Sequence, residues 1–360
     1  MRSMLLVVAS FATTMICWGL YGPVLHFGQH DMFTGGEDAP LPHIARWRPF
    51  VCVGMAYFLI GVIVPALILV LKGEKGHWTM TGVIWSLAGG ALGALGALGI
   101  VLAFTFGGKP LYVMPLVFGG APVVNSFLTI VWAGKLRDVG PVFLAGLIIV
   151  LIGAVTVLLS SPSATGGKVD LLSVNFIFQL LSIAMVISCW GSYGPVLHKG
   201  QAAMDHSRLR PLLCVGLSYF AIAVVVPNLL LAMPAFAEPS TYNFSGTTWS
   251  MAAGAAGALG ALGIIMAFNF GGKPVFVMPL VFGGAPVVNV LFDTWNKGKF
   301  DQLNAWFLAG LILAITGSTM VLVFAPRGKP PAKKVEVKPE PEPEPTGPSP
   351  MAEQPSPLTD

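Results

Sequence analysis

FNFGGKPVFVMPLVFGGAPVVN runs from Phe268 to Asn289, and FTFGGKPLYVMPLVFGGAPVVN runs from Phe104 to Asn125, 164 residues earlier. Working outward, Trp85–Asn125 and Trp249–Asn289 share 33 of 41 positions. CWGLYGPVLH (17–26) returns as CWGSYGPVLH (189–198), an offset of 172. RWRPFVCVGMAYF (46–58) returns as RLRPLLCVGLSYF (208–220), an offset of 162, so the second copy has lost ten residues from its first loop. FLAGLI stands at 143–148 and at 307–312. The chain is therefore one unit written twice.

Of 360 residues, 55% are hydrophobic and 10% charged, with mean hydropathy +0.77. A water-soluble domain carries about 25% charged residues, so this composition excludes one. Many apolar runs reach the ~20 residues needed to cross about 30 Å of hydrocarbon. Apolar segments are expected at 4–25, 50–71, 80–106, 111–133 and 140–160, then at 171–197, 211–233, 247–270, 275–296 and 303–325. The expected fold is an all-α integral membrane protein with ten transmembrane helices. Residues 1–162 form a first five-helix repeat and 163–326 a second. The Pro-, Glu- and Lys-rich stretch 327–360 has almost nothing to bury and reads as a disordered tail. The apolar N-terminus imitates a signal peptide, but its CWG motif recurs internally, so it reads as a retained helix.

Five spans is an odd number, so the second copy enters the membrane inverted. Inverted repeats are a building plan of secondary transporters, with the substrate site near the midplane between the copies. Counting Lys and Arg in the loops gives 14 on the side of the N-terminus and 6 on the other. The positive-inside rule then puts both termini in the cytoplasm; the expected location is the plasma (inner) membrane.

The glycines and prolines of the opening stretch now gain a reading. GGKP is a tight turn, with Pro110 or Pro274 starting the next helix. Pro122 and Pro286 fall near the bilayer centre and have no N–H to give the carbonyls of Phe118 and Phe282. Pro115 and Pro279 do the same to Leu111 and Val275. Freed carbonyls in hydrocarbon need protein or a wet cavity. Interrupted helices in both repeats therefore point to a binding site. Asn125 and Asn289, three residues past each break, either serve that site or bond across helices as packing glue. The glycine stripes GGALGALGALG (89–99) and AGAAGALGALG (253–263) read as close-packing surface.

Trp18 and Tyr21, toward the outside, and Trp190 and Tyr193, toward the cytoplasm, are either paired gates and stacking faces or interfacial aromatics. Beside them, His26 and His198 read as interfacial histidines. Arg46 and Arg48 outside mirror Arg208 and Arg210 inside, as Lys109 mirrors Lys273. Orientation rules would favour one side only. The pairs are either relics of duplication or positive gates, Arg48 and Arg210 among them, that bind lipid phosphate or an anionic substrate. No span carries Asp or Glu in its central part, Asp293 lying near an end. This argues against proton-driven export of cations. The four cysteines, Cys17, Cys52, Cys189 and Cys214, lie in apolar runs without metal-ligand spacing, and no enzyme motif is found.

Residues 4–325 resemble the drug/metabolite transporter superfamily, with its ten helices in two inverted EamA-like repeats. VWAGKLRDVGPVFLAGLIIVLIGAVTVLL (131–159) is similar to the end of that family's repeat. The CWG motif and the GALG…P…G…PVVN pattern resemble its glucose/ribose and rhamnose uptake branches. Lys135 and Lys299 stand where many members have an acidic residue, and span 1 lacks the glutamate of the small multidrug branch. The resemblance implies a small polar metabolite as substrate, with a sugar or nucleoside-like molecule leading. Expected partners are that small-molecule substrate and the lipid bilayer, with no nucleic acid and no cofactor; a homodimer is left open. A flippase-like carrier of a lipid-linked headgroup and a non-transporting scaffold are the rival readings.

Overall fold

The computed structural model describes residues 2–36, 44–160, 173–270, 274–298, 300 and 303–326. The second GGKP turn, Lys168 and the 327–360 tail lie outside these residues. Among them no strand forms, and a single antiparallel bridge joins Phe33 to Ser240. Among the described residues, nine helices are long and apolar enough to cross a membrane: α1 (Arg2–Asp31), α2 (Trp47–Leu71), α3 (Met80–Thr105), α4 (Pro110–Trp132), α5 (Pro141–Ser160), α6 (Val174–Ala203), α7 (Leu209–Leu231), α8 (Phe244–Asn269) and α10 (Ala305–Phe324). The chain is a multi-pass membrane protein. Helix α9 (Pro274–Lys297) is as long and closes on the polar turn Asp293-Thr294-Trp295-Asn296-Lys297.

Local chemistry sets the boundaries. Gly107 adopts φ +92° and Pro110 opens α4, so the first GGKP is a turn that needs glycine. Thr79 caps α3 by accepting from the Gly82 N–H at 3.0 Å, and Asn304 caps α10 through the Phe307 N–H at 2.8 Å. The Asn304 amide also donates to the Ser160 carbonyl at 2.8 Å, tying the start of α10 to the end of α5.

Two expectations need correction. The prolines do not interrupt α4, which remains one helix through Pro115 and Pro122. Neighbouring helices support the backbone around a proline, and here Ser318 Oγ on α10 donates at 2.9 Å to the Gly119 carbonyl, next to the Phe118 carbonyl that Pro122 frees. The backbone instead loosens where no break was expected, in π-turns at Leu59–Ile63 of α2 and Phe220–Val225 of α7. Pro65 and Pro227 follow these turns, and the wider turn accommodates their missing donor. The CWGxYGPVLH motif also does not end its helix. Helix α1 continues through Pro23 to Asp31, and α6 through Pro195 to Ala203.

Helices of one half pack on those of the other. The closest pairings are α1 with α8, α3 with α6, and α5 with α10, followed by α1 with α9 and α4 with α6. Glycines permit the approach. Gly146 and Gly153 of α5 face the backbone of α10 around Gly317 and Ala314, where a Cβ would collide. Where α2 crosses α7, Gly61 and Gly216 meet backbone to backbone. The main buried core lies among these crossings.

Candidate functional site

The aromatic residues of both halves meet in one cluster. Phe118 and Phe282, one turn before Pro122 and Pro286, are buried with ring centroids 6.3 Å apart. Trp18 lies 6.4 Å from Phe282, and Trp190 lies 6.5 Å from Phe118. Tyr21 extends the row, its centroid 6.0 Å from Trp190. Residues expected near opposite faces of the membrane are thus neighbours, because α1 and α6 run past their motifs and place them mid-helix.

Each indole is fixed by the other half's glycine stripe. Trp18 Nε1 donates to the Gly257 carbonyl at 3.2 Å, and Trp190 Nε1 to the Gly93 carbonyl at 3.1 Å. A Cβ at Gly260 would collide with the Trp18 ring, and one at Gly96 with the Trp190 ring. The stripes are therefore sockets for tryptophan as well as packing surface.

Sequence reasoning missed the floor of this site. Tyr57 on α2 and Tyr219 on α7 stack with centroids 3.7 Å apart and planes 4° apart. Both are buried; Tyr219 and Tyr193 border Gly93, whose carbonyl takes the Trp190 indole, and Tyr57 borders Gly257, whose carbonyl takes that of Trp18. The Tyr21 hydroxyl is buried without a partner among the described residues. The signal was present in the repeated words MAYF and LSYF. The cluster offers aromatic faces and hydroxyls, which suits a neutral polar ligand.

The two asparagines differ. Asn289 is fully buried, and its Nδ2 donates to the Pro110 carbonyl at 2.9 Å while Oδ1 lacks a partner among the described residues. Asn125 is half-buried, its amide set against Gly194 of α6. Beyond Asn289, Lys297 Nζ lies 2.7 Å from the buried Asp293 carboxylate. His26 packs 4.6 Å from His30 and 5.1 Å from Phe104, its Nδ1 without a partner among the described residues. No group of three His, Cys, Asp or Glu able to hold a metal occurs among the described residues.

The arginines have protein partners. Glu238, after α7, accepts from the backbone N–H of Arg46 (2.9 Å), Trp47 (3.1 Å) and Arg48 (3.5 Å) at the start of α2, with Arg46 Nε 3.6 Å away. Arg48 bonds Ser240 and lies over the Tyr242 ring. Glu74, after α2, accepts from the N–H of Arg208 (3.0 Å) and Leu209 (3.1 Å), from Ser207 Oγ (2.6 Å) and from Arg208 Nε (3.2 Å). Arg210 bonds the Glu74 and Lys75 carbonyls and lies over Trp78. Burial works to raise the Glu74 pKa, but the hydrogen bonds from Ser207, Arg208 and Leu209 outweigh it and leave the carboxyl below its ordinary 4.5.

No family model and no curated protein matches this sequence. A crystal structure, described only as that of a protein, is similar over 89% of this chain and 97% of its own, with TM-score 0.55 and 16% identity. At that identity the likeness concerns the fold alone.

Proposed function

We propose that this chain is a secondary transporter or facilitator, not an enzyme. It moves a small polar metabolite across the plasma (inner) membrane by alternating access. Its ten helices, α9 included, form two inverted five-helix repeats on the plan of the drug/metabolite transporter superfamily, with both termini cytoplasmic. The observation that carries this reading is the meeting of pseudo-equivalent residues at one buried centre, Trp18 with Phe282 and Trp190 with Phe118. A site shared by two inverted halves can be reached from either side as the halves repack. Trp18, Tyr21, Trp190 and Tyr193 enclose the substrate, Asn125 offers it an amide, and a sugar or nucleoside-like molecule suits the aromatic, hydroxyl-bearing walls.

The lipid-carrier reading has one observation of its own. An apolar cavity of about 240 Å³ lies between α2 and α8, lined by Ala56, Leu59, Ile60, Met251, Ala252 and Ala255. Its lining suits an acyl chain and has no side chain that would bind a headgroup.

The test is thermal unfolding of the purified protein against sugars, nucleosides, amino acids and organic acids. Ligand at a hundred times its Kd adds about 2.7 kcal/mol to the folded state. A dose-dependent shift from a sugar or nucleoside, lost in the Asn125→Ala/Asn289→Ala double variant, is expected. A shift that survives the double variant contradicts the asparagine roles, and silence across the panel contradicts the small-solute reading.

A further inference from the structure

Helices α2 and α7 are fastened to each other in three places. Midway, Gly61 meets Gly216 and Tyr57 stacks on Tyr219. At one end Glu238, on the segment after α7, holds the first N–H groups of α2. At the other end Glu74, on the segment after α2, holds the first N–H groups of α7. Each carboxylate answers the unpaired donors and positive end of a helix that belongs to the other half.

Comparison of the two halves shows that this arrangement was retained selectively. KGEKGHW (72–78) and FAEPSTY (236–242) align at the repeat offset of 164, and the glutamate is their only identical residue. The aromatic character of their last residue is also kept. Trp78 lies 5.9 Å from the Arg210 guanidinium, and Tyr242 lies 5.6 Å from that of Arg48. Everything else in the loop has changed.

We propose that Glu74 and Glu238 are positioning residues that lock α2 and α7 into one rigid spine. Access to the central cluster then changes by movement of other helices against the spine, not by parting of either clamp. The mechanical half of this statement rests on the transport reading above. The alternative, in which the clamps are gates that open in turn, fits the bonding poorly. At the α2 end the same loop also pairs by backbone bonds, Thr34 N–H to the Pro239 carbonyl and Thr241 N–H to the Met32 carbonyl, both at 2.9 Å. Opening would orphan the N-terminal donors of α2 and tear this seam in every cycle. The arginines thereby lose their role as charges offered to substrate: Arg46, Arg208 and Arg210 pair with the glutamates, Arg210 also bonds the Glu74 and Lys75 carbonyls, and Arg48 bonds Ser240.

The experiment replaces each clamp by a disulfide, using Arg46→Cys/Glu238→Cys at one end and Glu74→Cys/Ser207→Cys at the other. Uptake of D-glucose and of uridine into proteoliposomes is measured oxidised and reduced. The spine predicts rates within about twofold in the two states. A loss of tenfold or more on oxidation, restored by reductant, overturns it in favour of gates. Hydrogen exchange on the unmodified protein decides the matter where the variants fail to fold or the wild type moves neither solute. The spine predicts that the amides of Arg46, Trp47, Arg48, Arg208 and Leu209 exchange within about tenfold of helix-interior amides. Exchange as fast as that of the exposed loop sites overturns it. Absence of uptake by wild type together with slow exchange would count against the solutes or the transport reading, and leave the spine standing.

Discussion

Alanine at Gly96 or Gly260 gives a prediction whose sign separates a tryptophan socket from an ordinary helix surface. In an unconstrained helix, Gly→Ala stabilises by about 1 kcal/mol. At Gly96 the new Cβ would collide with Trp190, and at Gly260 with Trp18. Overpacking of this kind costs about 1–3 kcal/mol. Displacing the indole also breaks its bond to the carbonyl one turn earlier, Gly93 at 3.1 Å or Gly257 at 3.2 Å, at about 1 kcal/mol. Subtracting the helix gain leaves a net loss of about 1–3 kcal/mol per variant. That corresponds to a fall in Tm of roughly 2–12 °C at about 2–4 °C per kcal/mol. Gly119→Ala is the internal control, since its Cβ would find Ala314 at an ordinary 3.7 Å. It should hold or raise Tm. Thermal unfolding of the three variants in one detergent reads the result. If Gly96→Ala and Gly260→Ala match or exceed wild type, the sockets and the fixed indoles are wrong.

Four further outcomes follow from the same contacts. Glu74→Gln removes a carboxylate that accepts several bonds and should cost about 2 kcal/mol, read as a lower Tm at pH 7. Because the folded-state pKa of Glu74 lies below 4.5, its contribution is fully present above that value and fades as pH falls through the lowered pKa. Wild type should therefore lose stability toward pH 3 more steeply than Glu74→Gln, and parallel curves would contradict the clamp. Asn289→Ala, which breaks a buried bond to Pro110, should lower Tm, whereas Asn125→Ala should affect ligand-induced shifts but not the ligand-free Tm. Deleting residues 327–360 should leave transport intact, and its loss would favour the scaffold reading.

The repeat, and the helices it dictates, were legible because whole phrases recur and apolar runs have membrane length. Legibility ended where position depends on partners from the other half. CWGxYGPVLH stands where the apolar runs 4–25 and 171–197 stop, and so read as a helix end. Yet Gln29 is fully buried, bonding the Ala45 carbonyl at 3.0 Å, and α1 carries the motif deep into the protein. Proline suggested breaks in α4, but the helix is held from α10, where Ser318, 199 residues away, bonds the Gly119 carbonyl. The π-turns carry only a trailing proline as signal. Glu74 and Glu238 were invisible as a pair, since one shared letter in a diverged loop draws no notice until the helix ends they cap are seen. Tyr57 and Tyr219 were in plain view inside repeated words, and only their stacking gives them a place in the site.

The central claim is tested most directly by counterflow. Proteoliposomes holding the purified protein are preloaded with unlabelled solute, D-glucose or uridine, and exposed to tracer outside. The account predicts a transient accumulation of tracer in excess of equilibrium, abolished in Trp18→Ala/Trp190→Ala protein that still unfolds cooperatively. Equal accumulation in that double variant, or tracer entry that only ever relaxes monotonically to equilibrium, would contradict a two-sided site built from the aromatic cluster.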